Sequence, residues 1–240
     1  MWLLLISAGQ PKAHKSAELI HMKAWAIDPP ISGEYAELIP VYGDDEPAHK
    51  IICVECDDLA PWDTEVFEWE EGSDLIGDFV AALGRVVLQA RVANEILKSF
   101  SGFKKGPVGM WEPTNLRRRR MSGRRTRVLL PYVGPKLCEM VVTSDVPLRP
   151  KSTVKIESEC RACGRIQYKS FEGIAEKDMD ATIPRKPGKG LFFAQKDLHG
   201  ANFFRPKYTG FVLCTDLAKK FIEERQYSNV EFLEVGEILK

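Results

Sequence analysis

No apolar run in this 240-residue chain approaches the roughly 20 residues needed to cross a bilayer, so no helical membrane span is expected. Histidine is scarce: His14, His21, His49 and His199 are scattered, and none falls in an H-x-x-x-H or nucleophile-linked pattern. Phosphate loops and nucleophile elbows are missing too. There is no Walker loop, no G-x-G-x-x-G and no G-x-S-x-G, and Gly188-Lys189-Gly190 is too short to cradle a phosphate. The sequence therefore makes no affirmative case for an enzyme. Met1–Ala8 is apolar but lacks a basic n-region, and Gln10 and Lys12 interrupt it, so it reads as a first strand, Trp2–Ser7, and not as an export signal. A cytoplasmic location is the expectation. Thiols stay reduced there, and the six cysteines then favour metal ligation or burial over disulfides.

Net charge is also absent, because 34 basic and 34 acidic residues cancel, but the two signs are segregated. From Asp44 to Asp74 there are twelve Asp or Glu against one Lys, whereas Arg117–Arg127 holds seven Arg in eleven residues. The remaining composition, 44% hydrophobic and 28% charged, is that of a folded globular chain and too apolar for a disordered one.

Residues 1–70 look β-rich, with candidate strands at Trp2–Ser7, Glu34–Val41 and Lys50–Val54. Helical spacing is expected over Leu75–Leu83, broken at Gly84, then a short strand Val86–Leu88 leading into a helix of about ten residues. This second piece has a counterpart: at an offset of 125 residues, Val87–Leu97 matches Val212–Ile222 in its apolar positions. Each reads as strand, cap, amphipathic helix, with Thr215 as N-cap and Asp216 in the first turn of the later copy. A strand Val230–Val235 follows that copy, and Val108–Trp111 the earlier one. Two related strand–helix–strand units are one reading; convergence of two ordinary amphipathic helices is the other. Arg127–Val133 and Leu137–Val142 are further candidate strands, and 171–208, rich in Pro and Gly, reads as a long irregular excursion exposing Phe192, Phe193, Phe203 and Phe204. The expected fold class is α+β, with mixed, mostly antiparallel sheets, two strand–helix–strand units and a four-cysteine knuckle site. An N-terminal part, 1–135, and a C-terminal part, 136–240, divide the chain or merge into one integrated domain.

The strongest chemical signal is a pair of C-x-x-C motifs. Cys160-Arg-Ala-Cys163-Gly164 has the form of a zinc knuckle: two thiolates grip one tetrahedral metal, and the glycine lets the backbone turn its amides toward sulfur. Cys53-Val-Glu-Cys56 has the same spacing, with Asp57 where a knuckle prefers Gly. Together they supply four ligands for one structural zinc. Four reduced structural cysteines without metal, or a redox pair or disulfides, are the alternatives; neither motif precedes a helix as a thioredoxin-like pair would. His49 ranks below these four cysteines as a substitute ligand. Cys138 and Cys214 lie in apolar strands and read as small core residues.

The arginines Arg117, Arg118, Arg119, Arg120, Arg124, Arg125 and Arg127 suit either a solvated hairpin tip, a polyanion or an acidic protein partner. In the acidic stretch, Glu65, Phe67, Glu68, Trp69, Glu70 and Glu71 alternate aromatic and acid, a strand-like or partner-facing pattern; a partner surface of this kind suits a basic protein, with a salt-exposed loop as the default. Asp57, Asp58, Phe203 and Phe204 complete the candidate partner surface.

The block Tyr208–Val235, preceded by Cys160–Gly164 and by Glu139–Pro150, resembles the double-CxxCG motif immunity proteins of bacterial polymorphic toxin systems. The resemblance is best over about residues 135–240. Cys53 and Cys56 match the family's first CxxCG except for Asp57 in place of Gly. It implies a non-enzymatic immunity protein that binds a cognate toxin, ranked above a zinc-knuckle nucleic-acid-binding or regulatory module acting through the Arg117–Arg127 loop. No membrane partner is expected.

Overall fold

The computed structural model describes residues 22–31, 33–41, 51–56, 58–59, 66–70, 73–111, 128, 131–178 and 181–240. Along the chain run β1 (Met22–Asp28), β2 (Leu38–Pro40), β3 (Ile51–Cys53), β4 (Asp58–Leu59), β5 (Val66–Trp69), β6 (Phe79–Ala82), β7 (Arg85–Gln89), helix α1 (Ala90–Leu97), β8 (Phe103–Gly106) and β9 (Gly109–Met110). Then come β10 (Leu137–Val142), β11 (Asp145–Val146), β12 (Val154–Glu159), β13 (Ile166–Phe171), β14 (Glu176–Asp178), β15 (Ala181–Ile183) and β16 (Leu191–Ala194). A 3-10 turn at Gln195–Leu198, β17 (Phe203–Pro206), β18 (Leu213–Thr215), helix α2 (Asp216–Glu224) and β19 (Glu231–Leu239) complete it. The described protein is thus mostly sheet with two helices. Neither helix is long and apolar enough to cross a membrane.

Two sheets carry the architecture, ordered β11-β17-β18-β1-β19-β16 and β6-β7-β10-β8. In the first, β1 is antiparallel to both β18 and β19, and α2 links those two flanking strands. In the second, β10 is antiparallel to both β7 and β8, which α1 links. Both sheets are covered on both faces, and strand alternation sorts their side chains into three cores. Trp25 and Ile27 of β1, Leu88 of β7 and Met140 of β10 face a shared core with Val92 and Ile96 of α1 and Ala218 and Ile222 of α2. Ala24 and Ala26 turn to the opposite face of the first sheet, with Phe193, Phe204 and Leu213. Val80, Val87 and Leu137 turn to the opposite face of the second, against the three-stranded sheet β2-β5-β9 with its Phe67 and Trp69.

The strand–helix joints fall where the apolar pattern put them, but the helix caps, Gln89 and Thr215, are 126 residues apart, one more than the sequence match. Val92 and Ile96 then correspond to Ala218 and Ile222, all fully buried, while Leu217 is 63% exposed. Thr215 makes no side-chain cap bond. The Asp216 carboxylate instead accepts from the Lys23 amide and from Trp25 Nε1, each at 2.7 Å, fastening the start of α2 to β1.

Three sequence expectations fail for identifiable reasons. Leu75–Leu83 does not form a helix: Phe79–Ala82 is a strand buried on both faces, and a short continuous apolar run has no periodicity to distinguish it from helix. The chain turns at Leu83 and Gly84, both at positive φ. Among the described residues of 127–133 there is no strand. The 171–208 segment is ordered into β14, β15, β16, the 3-10 turn and β17, and Phe192, Phe193, Phe203 and Phe204 are all fully buried. Isolated Phe pairs between Pro and Gly look like loop residues in sequence; here each pair belongs to a short strand covered on both faces. Trp2–Ser7 lies outside the described residues.

A polar joint holds the C-terminal turn to the second sheet. The Asp78 amide donates to Ser228 Oγ at 2.9 Å, the Ser228 amide returns a bond to Asp78 Oδ2 at 3.0 Å, and Asn229 Nδ2 donates to Phe79 O at 2.9 Å. Nearby, Glu95 of α1 accepts from Tyr227 Oη at 2.7 Å and pairs with Arg225. The Tyr227 hydroxyl and then the Arg225 guanidinium hold the Glu95 carboxyl below its ordinary value of 4.5. A depressed folded value means that this contribution is complete above the unfolded pKa and disappears as pH falls through the folded one. Tyr227→Phe is therefore expected to lower the urea midpoint at neutral pH, with a loss that shrinks as pH falls below the ordinary carboxylate range; a loss that stayed constant with falling pH would contradict the linkage.

Candidate metal centre

Two hairpins build the site. β12 and β13 pair from Val154↔Phe171 outward to Glu159↔Ile166, anchored at the base where Val154 and Phe171 pack on the first sheet's outer core. Cys160 and Cys163 sit in the turn at the far end. There the Cys160 amide donates to Arg165 O and the Gly164 amide to Cys160 O, both at 2.8 Å, closing a tight loop. Gly164 has φ +70° with open space where a Cβ would stand, so the glycine serves the backbone angle; a side chain there would cost about 1 kcal/mol. The second hairpin is β3–β4, with Cys53 ending β3 and Cys56 in the turn that follows.

The hairpin tips meet cysteine to cysteine. Cys53 Sγ lies 3.8 Å from Cys160 Sγ and Cys56 Sγ 3.7 Å from Cys163 Sγ. All four sulfurs fall within 4.8 Å of one another. A tetrahedral metal with thiolates at about 2.3 Å needs sulfur–sulfur edges of about 3.8 Å, whereas a disulfide needs about 2.05 Å. All six cysteines are free thiols, and the four at the tips could hold one metal ion.

The neighbouring thiols shift one another in opposite directions. Backbone amides of Cys163 and Ala162 facing Cys160 Sγ, opposed by desolvation, bring its thiol down to about 7. Desolvation of the Cys56 thiol, then its hydrogen bonds with Cys160, Cys163 and Cys53, push it up to about 12. Four neighbouring thiols cannot all ionise without positive charge among them. A bound divalent ion would supply it, and four thiolates around it would suit holding the two hairpins together.

No family model matches the chain, and no curated protein does.

The other sequence candidates are dispersed. Phe67 and Trp69 are buried beneath the second sheet, and Phe203 and Phe204 are buried on opposite faces of the first, so these four belong to the cores and not to a partner surface. The strand-like alternative for this stretch holds, and alternation puts Glu68, between the aromatics, and Glu70, after them, on the outer side. Asp58 lies in β4 beyond the Cys53–Cys56 turn. Asp57, Glu65, Glu71, His49, Arg117, Arg118, Arg119, Arg120, Arg124, Arg125 and Arg127 lie outside the described residues. Cys138 and Cys214 are buried, as expected, and burial raises both thiols.

A cleft of about 630 Å3 between α1, β8 and the start of β10 was not anticipated. Its polar residues come from three segments, Asn94 from α1, Lys105 from β8, and Tyr132 and Lys136 from the stretch before β10, and no spacing pattern in the sequence links them.

Proposed function

We propose that the chain is an immunity protein that binds and neutralises a cognate bacterial toxin, and that its four cysteines carry a structural zinc ion. The observation that carries this reading is the meeting of two C-x-x-C hairpin tips, 107 residues apart in sequence, at one closed four-sulfur site. Paired knuckles are what the resemblance over residues 135–240 implies. Four thiolates in a tetrahedral spacing suit zinc, whose filled d shell imposes no other geometry. A closed site makes no demand for catalysis, and inhibition by binding needs none.

The two helix crossovers add to this reading. We take β6-β7-α1-β8 and β17-β18-α2-β19 as duplicated units, each with a foreign antiparallel strand, β10 or β1, between the strands that its helix joins. Such a doubled scaffold gives a broad, rigid surface for a partner.

The test is genetic and biochemical. The toxin is expected to be encoded in the neighbouring reading frame, to co-purify with this chain and to spare cells that express both. Cells still killed by that toxin, or a toxin that does not associate, would dispose of the immunity reading. The second reading, a nucleic-acid-binding module, rests on the seven arginines of Arg117–Arg127. It requires a salt-sensitive shift of generic DNA or RNA, which the immunity reading does not.

A further inference from the structure

The cleft between α1, β8 and β10 has the composition of a recognition pocket. Its floor is apolar: Val108, Met110 and Leu137, with Ala90 of α1 at one side. Its charged groups are of one sign. Lys105 reaches in from β8, its Nζ donating to Asn94 Oδ1 at 2.7 Å, and Lys136 enters from the residue before β10. Neither ammonium group has a carboxylate partner among the described residues, although other cations near this end do: Arg91 pairs with Asp78, Arg225 with Glu95 and Arg85 with Glu139. Both lysines also act on the Cys138 thiol in the cleft wall, opposing the burial that raises it. Tyr132, its hydroxyl donating to Pro135 O at 2.7 Å, presents a ring to the cleft.

We propose that this cleft is a docking surface for an acidic protein partner, receiving an apolar side chain on the Val108–Met110–Leu137 floor and adjacent carboxylates on Lys105 and Lys136. A concave apolar floor beside two cations that have no carboxylate partner among the described residues suits an anchor residue flanked by acids. Nucleic acid fits less well, since its bases call for flat stacking platforms and its backbone for an open basic groove. The proposal deepens the immunity reading, on which its choice of partner rests: the toxin's docking face would be acidic, and the acidic 44–74 stretch of this chain would not be the main contact.

Two measurements test it separately from that reading. In the first, an acidic peptide with one central leucine flanked by Asp and Glu, and in parallel a single-stranded oligonucleotide, is titrated into the full chain and followed by amide NMR shifts. The peptide is expected to move Asn94, Gly106, Val108 and Lys136, an effect lost in Lys105→Glu/Lys136→Glu and strongly reduced in Lys105→Gln/Lys136→Gln; the milder pair covers the case in which charge reversal impairs folding. Shifts elsewhere, no response in the wild type, or stronger displacement of these amides by the oligonucleotide overturn the proposal. In the second, the neighbouring-frame toxin is bound to wild type and variants. The charge-reversed pair is expected to bind about 100-fold more weakly, with Lys220→Glu on the exposed face of α2 unchanged. Equal binding of wild type and the reversed pair removes the cleft from the interface and leaves the immunity reading standing. If the wild type fails to bind the toxin, that reading falls and the peptide titration alone decides the cleft.

Discussion

Replacing Cys163 by serine is expected to remove the metal from this protein and to separate the two hairpins that the metal joins. Wild-type protein should carry one metal ion per chain by elemental analysis, and zinc if the donor set is read correctly. Structural zinc held by such ligands has an apparent binding free energy of about 10–16 kcal/mol at neutral pH, much of it realised as folding free energy. The hydroxyl left behind at position 163 is a poor ligand, and the other three sulfurs, spaced for a tetrahedron, cannot complete the shell. The expected result is stoichiometry near zero and a fall in melting temperature that chelator treatment of the wild type reproduces. The sheets should survive, because their cores do not include the hairpin tips; loss of far-UV signal should be small and local. Stoichiometric metal persisting in the variant would sink the four-cysteine assignment.

Truncating Phe203 should do the opposite, leaving the metal bound and the fold damaged. Its ring meets Phe103 of the second sheet at 5.0 Å and Phe100 after α1 at 6.3 Å, both edge-on, from a strand of the first sheet. Gly102 packs against the same residue so closely that a Cβ there would lie 1.9 Å from Phe203 O. The void left by alanine has little room to collapse, since backbone fixes one side and rings the others. A loss of about 3–5 kcal/mol is expected in urea unfolding, with metal content unchanged. A partner-facing Phe203 would instead give wild-type stability and weaker binding. The two outcomes separate the core placement from the sequence-based one.

What sequence conveys about this chain depends on how local the physics is. The joints β7–α1 and β18–α2 were legible because a helix face repeats within a single turn or two, and β10 matched Leu137–Val142 residue for residue. The four cysteines were legible because their spacing encodes the chemistry of the metal itself. Phe79–Ala82 and the Phe192–Phe193 and Phe203–Phe204 pairs were not, since their burial is decided by layers that come from elsewhere in the chain. The cleft was invisible for the same reason: Asn94, Lys105, Tyr132 and Lys136 come together through the pairing of β10 with both β7 and β8.

The position of β1 also governs the order in which the molecule can be made. Its partners across Ala24↔Thr215 and Trp25↔Glu234 lie far downstream in the sequence and leave the ribosome long after it. Until they emerge, residues 22–28 offer both edges of a strand with no neighbour, and the six-stranded sheet has no centre to assemble around. The second sheet needs only residues 79–142 and can form earlier. Synthesis should therefore pass through a half-built state with an unpaired, apolar strand, and refolding should be slow for a chain of this size. That vulnerability ends only when β18 and β19 pair with β1.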